Sequence, residues 1–254
     1  MQLKASLHIH TSEDKKDGHI INYNVYNLID EAKKNGFNVL GFTPHEKFVF
    51  KEEFAEYAKK KGILLIPGVE RGLGRFFNKH VVILNCDKTI EKVNTLKQLL
   101  KYKDEHQEIF ILAPHPTYNR LISIGARKLK KYINLFDAIE HSCAYAKKLN
   151  FHNKKAGVIA ANFKKPIIAT ADVHILKKLN TDFAIIEAAE LTIESVFQAI
   201  KYGKFENVTA PQGLFELIKY YISFLTKYII KYITVKILGL QRKKLELEIV
   251  EERA

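Results

Sequence analysis

A β/α barrel is the fold class that this sequence predicts, and three observations predict it. Short β-branched or aliphatic runs alternate with amphipathic stretches of helical length, the mark of βα units and a parallel sheet. About seven such repeats fall within roughly the first 210 residues, enough for a closed or nearly closed barrel; a doubly wound open sheet is the alternative. Glycine ends several of the amphipathic stretches, where a helix needs a residue that tolerates a left-handed cap.

The elements follow in order. Lys4–His10 is an apolar run ending in two histidines, and Tyr23–Asn35 has helical spacing and stops at Gly36. Strand Val39–Thr43 is followed by helix Lys51–Lys61, which stops at Gly62. Ile63–Pro67 and His80–Leu84 are the next strands, with GRFFNK leading into the second. Helix Ile90–Tyr102 leads to strand Ile109–Ala113, Ala126–Phe136 to Ala138–His141, and Lys154–Phe163 to Ile167–Ala171. Short strands at Phe183–Ile186 and Asn207–Ala210 flank helix Ile193–Tyr202, which stops at Gly203.

After Pro211-Gln212-Gly213 the pattern changes, so residues 1–210 are expected to form one domain and 211–254 a helical extension. Leu214 to Leu240 is long enough to span a membrane, but Lys219, Lys227, Lys231 and Lys236 interrupt it at high cost in a bilayer. At about 100° per residue, Lys219, Ser223, Thr226, Lys227, Lys231 and Thr234 share one sector and Phe224, Leu225, Tyr228, Ile229, Tyr232 and Ile233 the other. An amphipathic helix packed back on the barrel is expected, with a membrane surface or a dimer contact as alternatives over residues 214–240.

The net charge of +13 favours anions such as phosphorylated metabolites, nucleic acid or an acidic membrane face. Most of the basic residues are lysines scattered through helices, as on a solvated surface, so the charge permits these partners without selecting one. Cys86 and Cys143 suggest neither a disulfide framework nor a thiolate zinc site. The chain runs from Met1 almost directly into its first strand, leaving no room for a secretory signal; a cytoplasmic protein is expected, with a membrane-peripheral one as the alternative.

The chemistry gathers at strand ends. His8 and His10, at positions i and i+2 of a strand, present their rings on one face. His45 follows the second strand in GFTPHE, Glu70 the third in IPGVE, His115 the fifth in LAPHP, and Asp172 with His174 the seventh in ATADVH. Residues just past strand C-termini converge on one mouth of a β/α barrel. His80 does not fit, because it opens its strand. Imidazoles and carboxylates without thiolates suit zinc, manganese or iron.

In the same order and with similar spacing, LHIHT, DG, AKKNGFNVLGFTPHEKF, PGVE, HVVIL, LAPHP, AIEH, ATADVH and IESVFQAIKYGKF resemble the polymerase and histidinol phosphatase (PHP) phosphoesterases over about residues 1 to 210. The resemblance implies a distorted seven-stranded β/α (TIM-like) barrel, with a site for two or three divalent metal ions, that hydrolyses phosphate esters. It implies that His8, His10, Glu70 and Asp172 hold one metal. Glu70 would bridge to a second, held with His80 and His115, and Asp17, His45 and His174 would hold a third. Three departures stand out. Thr43-Pro44-His45 lacks the usual acidic neighbour of the histidine, and Thr170-Ala171 alters the backbone before Asp172. The loop from His10 to Asp17 is longer than the common form, leaving Asp14 or His19 as substitutes for Asp17.

Such a site would bind the phosphate oxygens, offset their charge and lower the pKa of the attacking water. Arg71, beside Glu70, and Arg120, five residues after His115, are the residues expected to hold the phosphate. His141 either lines the mouth or is packed; His106 and His152 are expected at the surface. No glycine-rich phosphate loop, nucleophile elbow or Cys/His pair is present. The expected substrate is a nucleotide, a short oligonucleotide or a small phosphorylated metabolite. Histidinol phosphate is the narrower alternative, and a non-catalytic metal-binding module associated with a nucleic-acid enzyme is the alternative of another class.

Overall fold

The computed structural model describes residues 1–74, 79–118 and 121–213, together with Phe215, Ile218, Lys219, Ile222 and Thr226. Arg120 and most of the segment 214–254 lie outside the described residues. The chain divides into two compact units, Met1–Pro211 and Gln212–Ala254. In the second unit the described residues 215, 218, 219, 222 and 226 are helical. Among the described residues no helix is long and apolar enough to cross a membrane.

The first unit is built on nine strands: β1 Gln2–Ile9, β2 Val39–Phe42, β3 Leu64–Leu73, β4 Lys79–Leu84, β5 Phe110–Ala113, β6 Ala138–Ser142, β7 Ile167–Thr170, β8 Phe183–Glu187 and β9 Phe205–Val208. They form one sheet in the order β7-β6-β5-β4-β3-β2-β1-β8-β9. The seven-stranded barrel is thus corrected to nine strands, and the sheet is mixed. β1, β2 and β3 pair in parallel, as do β5, β6 and β7, but β4 is antiparallel to both of its neighbours and β8 to both of its own. The reversal of β4 follows from chain length: too few residues separate Leu73 from Lys79 for the crossover that a parallel pair requires.

The sheet curls until its ends nearly meet. Val173, just past β7, bridges Ile9 in parallel; His10 N donates to Val173 O at 3.0 Å and Val173 N to His8 O at 3.1 Å. The Asn207 side chain on β9 accepts from Ala169 N and donates to Ile167 O, both at 2.8 Å. Inside the curl, alternate residues such as Leu3, Ala5, Ile66, Val82, Phe110 and Ile168 form an apolar plug, to which α6 (Ile193–Lys201) contributes Val196, Phe197 and Ile200. Outside, α1 (Val25–Lys34) and α2 (Glu52–Lys60) cover one part of the sheet. The helices α3 (Leu96–Glu105), α4 (Ala126–Lys131) and α5 (Phe151–Asn162) cover another. α3 is shorter than expected because Thr95 caps it, its hydroxyl accepting from Gln98 N.

Two local features aim the sheet at its function. β3 runs past Pro67-Gly68, where the sequence predicts its end, because its pairing passes from β2 (up to Pro67) to β4 (from Gly68). β1 carries a bulge: between the Ser6↔Leu40 and Ile9↔Phe42 pairs it has one residue more than β2. Leu7 packs in the interior plug and Ile9 in the outer layer, so the extra residue turns His8 and His10 inward. Thr43 holds the bulge, its hydroxyl accepting from Ile9 N at 2.9 Å. Gly41 lies directly against it, and a Cβ there would sit 2.5 Å from the Leu7 carbonyl oxygen. Gly41→Ala is therefore expected to destabilise the chain by about 1–3 kcal/mol in urea unfolding, and to weaken metal binding at the adjacent histidines.

Candidate metal centre

Above the apolar plug, the interior positions become polar. Glu70, His80 and Glu140 continue the inward alternation of Ile66, Val82 and Ala138, two residues further toward the mouth in β4 and β6 and four in β3. The reversal of β4 places its first residues at the same rim as the last residues of its neighbours, which is how His80 joins the others. His115 and Asp172 have left-handed backbone, with φ of +29° and +44°. Strained backbone of this kind is characteristic of functional sites.

The Glu70 carboxylate is the hub. Oε2 lies 2.9 Å from His45 Nε2 and 3.5 Å from both His8 Nε2 and His10 Nε2. Oε1 lies 2.7 Å from His80 Nδ1 and 3.2 Å from His115 Nε2. On the other side, Asp172 Oδ1 lies 3.5 Å from His8 Nε2 and 3.4 Å from His10 Nε2. The His10 ring centroid lies 4.2 Å from those of His45 and His174, which are themselves 5.8 Å apart. Asp17 Oδ2 stands 3.7 Å from His174 Nε2 and 3.9 Å from His45 Nδ1.

Glu140 Oε2 lies 2.8 Å from His8 Nδ1, and its Oε1 accepts from His115 N at 3.2 Å. With Nδ1–H committed to Glu140 on one ring and to Asp14 on the other, His8 and His10 face each other Nε2 to Nε2 at 3.1 Å. Two lone pairs at that distance repel unless a cation or a proton sits beside them. Nitrogen and oxygen ligands at about 2.1 Å from a tetrahedral ion are about 3.4 Å apart. The two nitrogens are 3.1 Å apart, and Glu70 Oε2 and Asp172 Oδ1 each lie 3.4–3.5 Å from both of them, separations of that size. His80 Nε2 is buried without a hydrogen-bond partner. These residues fit a metal. Among the described residues three ligand groups converge: His8, His10 and Asp172; His45, Glu70 and His80; and His10, His45 and His174.

The electrostatics agree. Burial disfavours charge on His45, but Glu70 and Asp14 outweigh it and raise its pKa to about 9. For His174 burial is likewise outweighed, by Asp172 and Asp17, and the value rises to about 10. His80, where burial prevails, is lowered to about 4. Despite burial, the surrounding histidines hold Glu70 and Asp172 well below the usual carboxylate range.

Not every expected residue is here. Arg71 follows Glu70 in β3 and so points to the opposite face. Its NH1 donates to Glu46 O and Oε2, and its NH2 to Glu91 O, Val93 O and Asn94 Oδ1, tying two loops to the barrel. His19 is exposed. His141 packs edge-on against Tyr145, 5.1 Å between centroids, and His106 stacks on Tyr102. His152 is half-buried against Tyr118 rather than at the surface. Sequence reasoning missed Glu140; its signal was a carboxylate in a buried strand, which is costly without a partner.

Two outcomes follow. Arg71→Ala is expected to lower stability by about 3 kcal/mol in urea unfolding and to leave metal stoichiometry unchanged. A histidine whose pKa rises on folding contributes stability fully below its unfolded value of 6.5 and loses it as pH climbs through the folded value, about 9 for His45. The urea midpoint of metal-free protein is therefore expected to fall between pH 6.5 and 9, and bound metal, which replaces the protons, to remove that fall.

Comparison with solved structures finds the same fold in proteins of low identity. One is a two-domain protein from Bacteroides vulgatus containing a predicted PHP-like metal-dependent phosphoesterase: 17% identity, TM-score 0.64, covering 86% of this chain and 68% of that one. PsfC from Pseudomonas syringae matches at 12% identity and TM-score 0.58, over 89% of this chain and 99% of that one. The lesion-specific endonuclease PfuEndoQ from Pyrococcus furiosus matches at 15% identity and TM-score 0.57, over 82% of this chain and 58% of that one. No curated protein sequence matches the chain. The family model of the PHP domain matches residues 6–233, and the chain accordingly belongs to the PHP domain family.

Proposed function

We propose that the chain is a metal-dependent phosphoesterase that hydrolyses a phosphate ester of a nucleotide, a short oligonucleotide or a small metabolite. The observation that carries this reading is the pair of facing nitrogens of His8 and His10, 3.1 Å apart, with carboxylate oxygens of Glu70 and Asp172 each 3.4–3.5 Å from both, and with Glu70 shared with His80 and His115. In this reading His8, His10, Glu70 and Asp172 hold one ion, Glu70, His80 and His115 a second, and Asp17, His45 and His174 a third. Divalent ions held there would supply positive charge for the phosphate oxygens and a water of lowered pKa.

The chain's own residues do the rest. Glu140 orients the His8 ring, and the apolar plug closes the floor of the site, so that substrate enters from the mouth. Lys16, between Asp14 and Asp17, places positive charge near Asp17, His45 and His80, as an anionic substrate needs. The net charge of +13 and the likeness to a lesion-specific endonuclease support the nucleotide and oligonucleotide side of the reading. Residues 1–210 are the catalytic domain and 211–254 an extension.

The test is elemental analysis of the purified chain together with phosphate release from an aryl phosphate and a nucleotide panel. At least two ions per chain are expected, and a chelator should abolish activity that manganese or zinc restores. Glu70→Gln should lose activity by more than about 100-fold, because it removes a shared ligand and not merely a group behind one. Fewer than two ions, or release no faster than in His10→Ala, would end the hydrolase reading.

A further inference from the structure

Asp14 lies in the loop between β1 and α1, buried, and it makes more hydrogen bonds than any single metal ligand would need. Its Oδ2 accepts from His45 N at 2.8 Å and faces His10 Nδ1 at 2.9 Å and His45 Nδ1 at 2.8 Å. Its Oδ1 accepts from Lys16 N at 2.8 Å and Asp17 N at 3.1 Å. Five nitrogen donors from two separate segments thus converge on two oxygens. Only a carboxylate satisfies that set. An amide in its place would turn an NH2 against N–H groups at one end or the other.

We propose that Asp14 is a positioning residue for the metal centre: one carboxylate fixes the His10 and His45 rings as Nδ1–H tautomers with Nε2 toward the metal space, and pins the loop that carries Asp17. The geometry excludes a ligand role for Asp14 in this arrangement, because both oxygens are already taken by protein donors. An imidazole held by a carboxylate at one nitrogen is the better ligand at the other, since its orientation and tautomer are set before the ion arrives. Here a single side chain does this for two rings from different strands. It rests on the metal-binding part of the proposed function, and not on phosphate ester hydrolysis.

The full-length chain tests it by two measurements on Asp14→Asn. In metal-free protein, above the pH at which the His10 nitrogen shifts stop changing, long-range 1H–15N correlations should show the His10 Nδ1–H tautomer in wild type and its loss or mixing in the variant. Zinc affinity by calorimetry should fall about 10- to 100-fold in the variant. Asp14→Glu, which keeps the carboxylate, should recover part of both in a chain whose circular dichroism matches wild type. Wild-type tautomer and zinc affinity in Asp14→Asn would overturn the proposal. A wild-type chain that binds no zinc would instead overturn the metal reading, while the tautomer measurement would still decide the role of Asp14.

Discussion

A buried carboxylate surrounded by five imidazoles is the constraint on which this molecule turns. Glu70 is buried with each oxygen facing different histidines, and burying that charge is tolerable only because so many nitrogens surround it. Those five histidines must then be delivered by four segments, the end of β1, the loop after β2, β4 and the loop after β5. The sheet has to curl so that these ends share one rim. Glu70 itself stands where β3 leaves β2 for β4, the point at which the sheet changes from parallel to antiparallel pairing.

Most of the fold was legible because hydrophobic runs and glycine stops report strand and helix positions directly. Direction was not. β4 reads as a strand whichever way it runs, and only the short connection from Leu73 to Lys79 reveals its reversal. That reversal resolves the one misfit among the histidines, His80, whose place at the start of a strand is what an antiparallel neighbour requires.

Within the site, histidines at strand ends were legible and the groups behind them were less so. Glu140 sits next to a more conspicuous histidine, His141, which points the other way. A third strand ending at Pro67 leaves Arg71 in a loop at the mouth; with Glu70 inside β3, its neighbour must face outward. The lengthened loop after His10 and the loss of an acidic residue before His45 read as separate irregularities in the sequence. They meet at Asp14, which comes from the longer loop and binds both the backbone and the ring of His45.

The seam where the curled sheet meets itself runs through Ile9 and Val173, between the histidines of the first strand and Asp172. The ligand group of His8, His10 and Asp172 therefore joins residues far apart in the chain, and it cannot be completed until residue 172 and its flanking backbone have been made. Asp14, His45 and Glu70 precede it in the chain, so closing the seam between Ile9 and Val173 is the same step that brings Asp172 to His8 and His10.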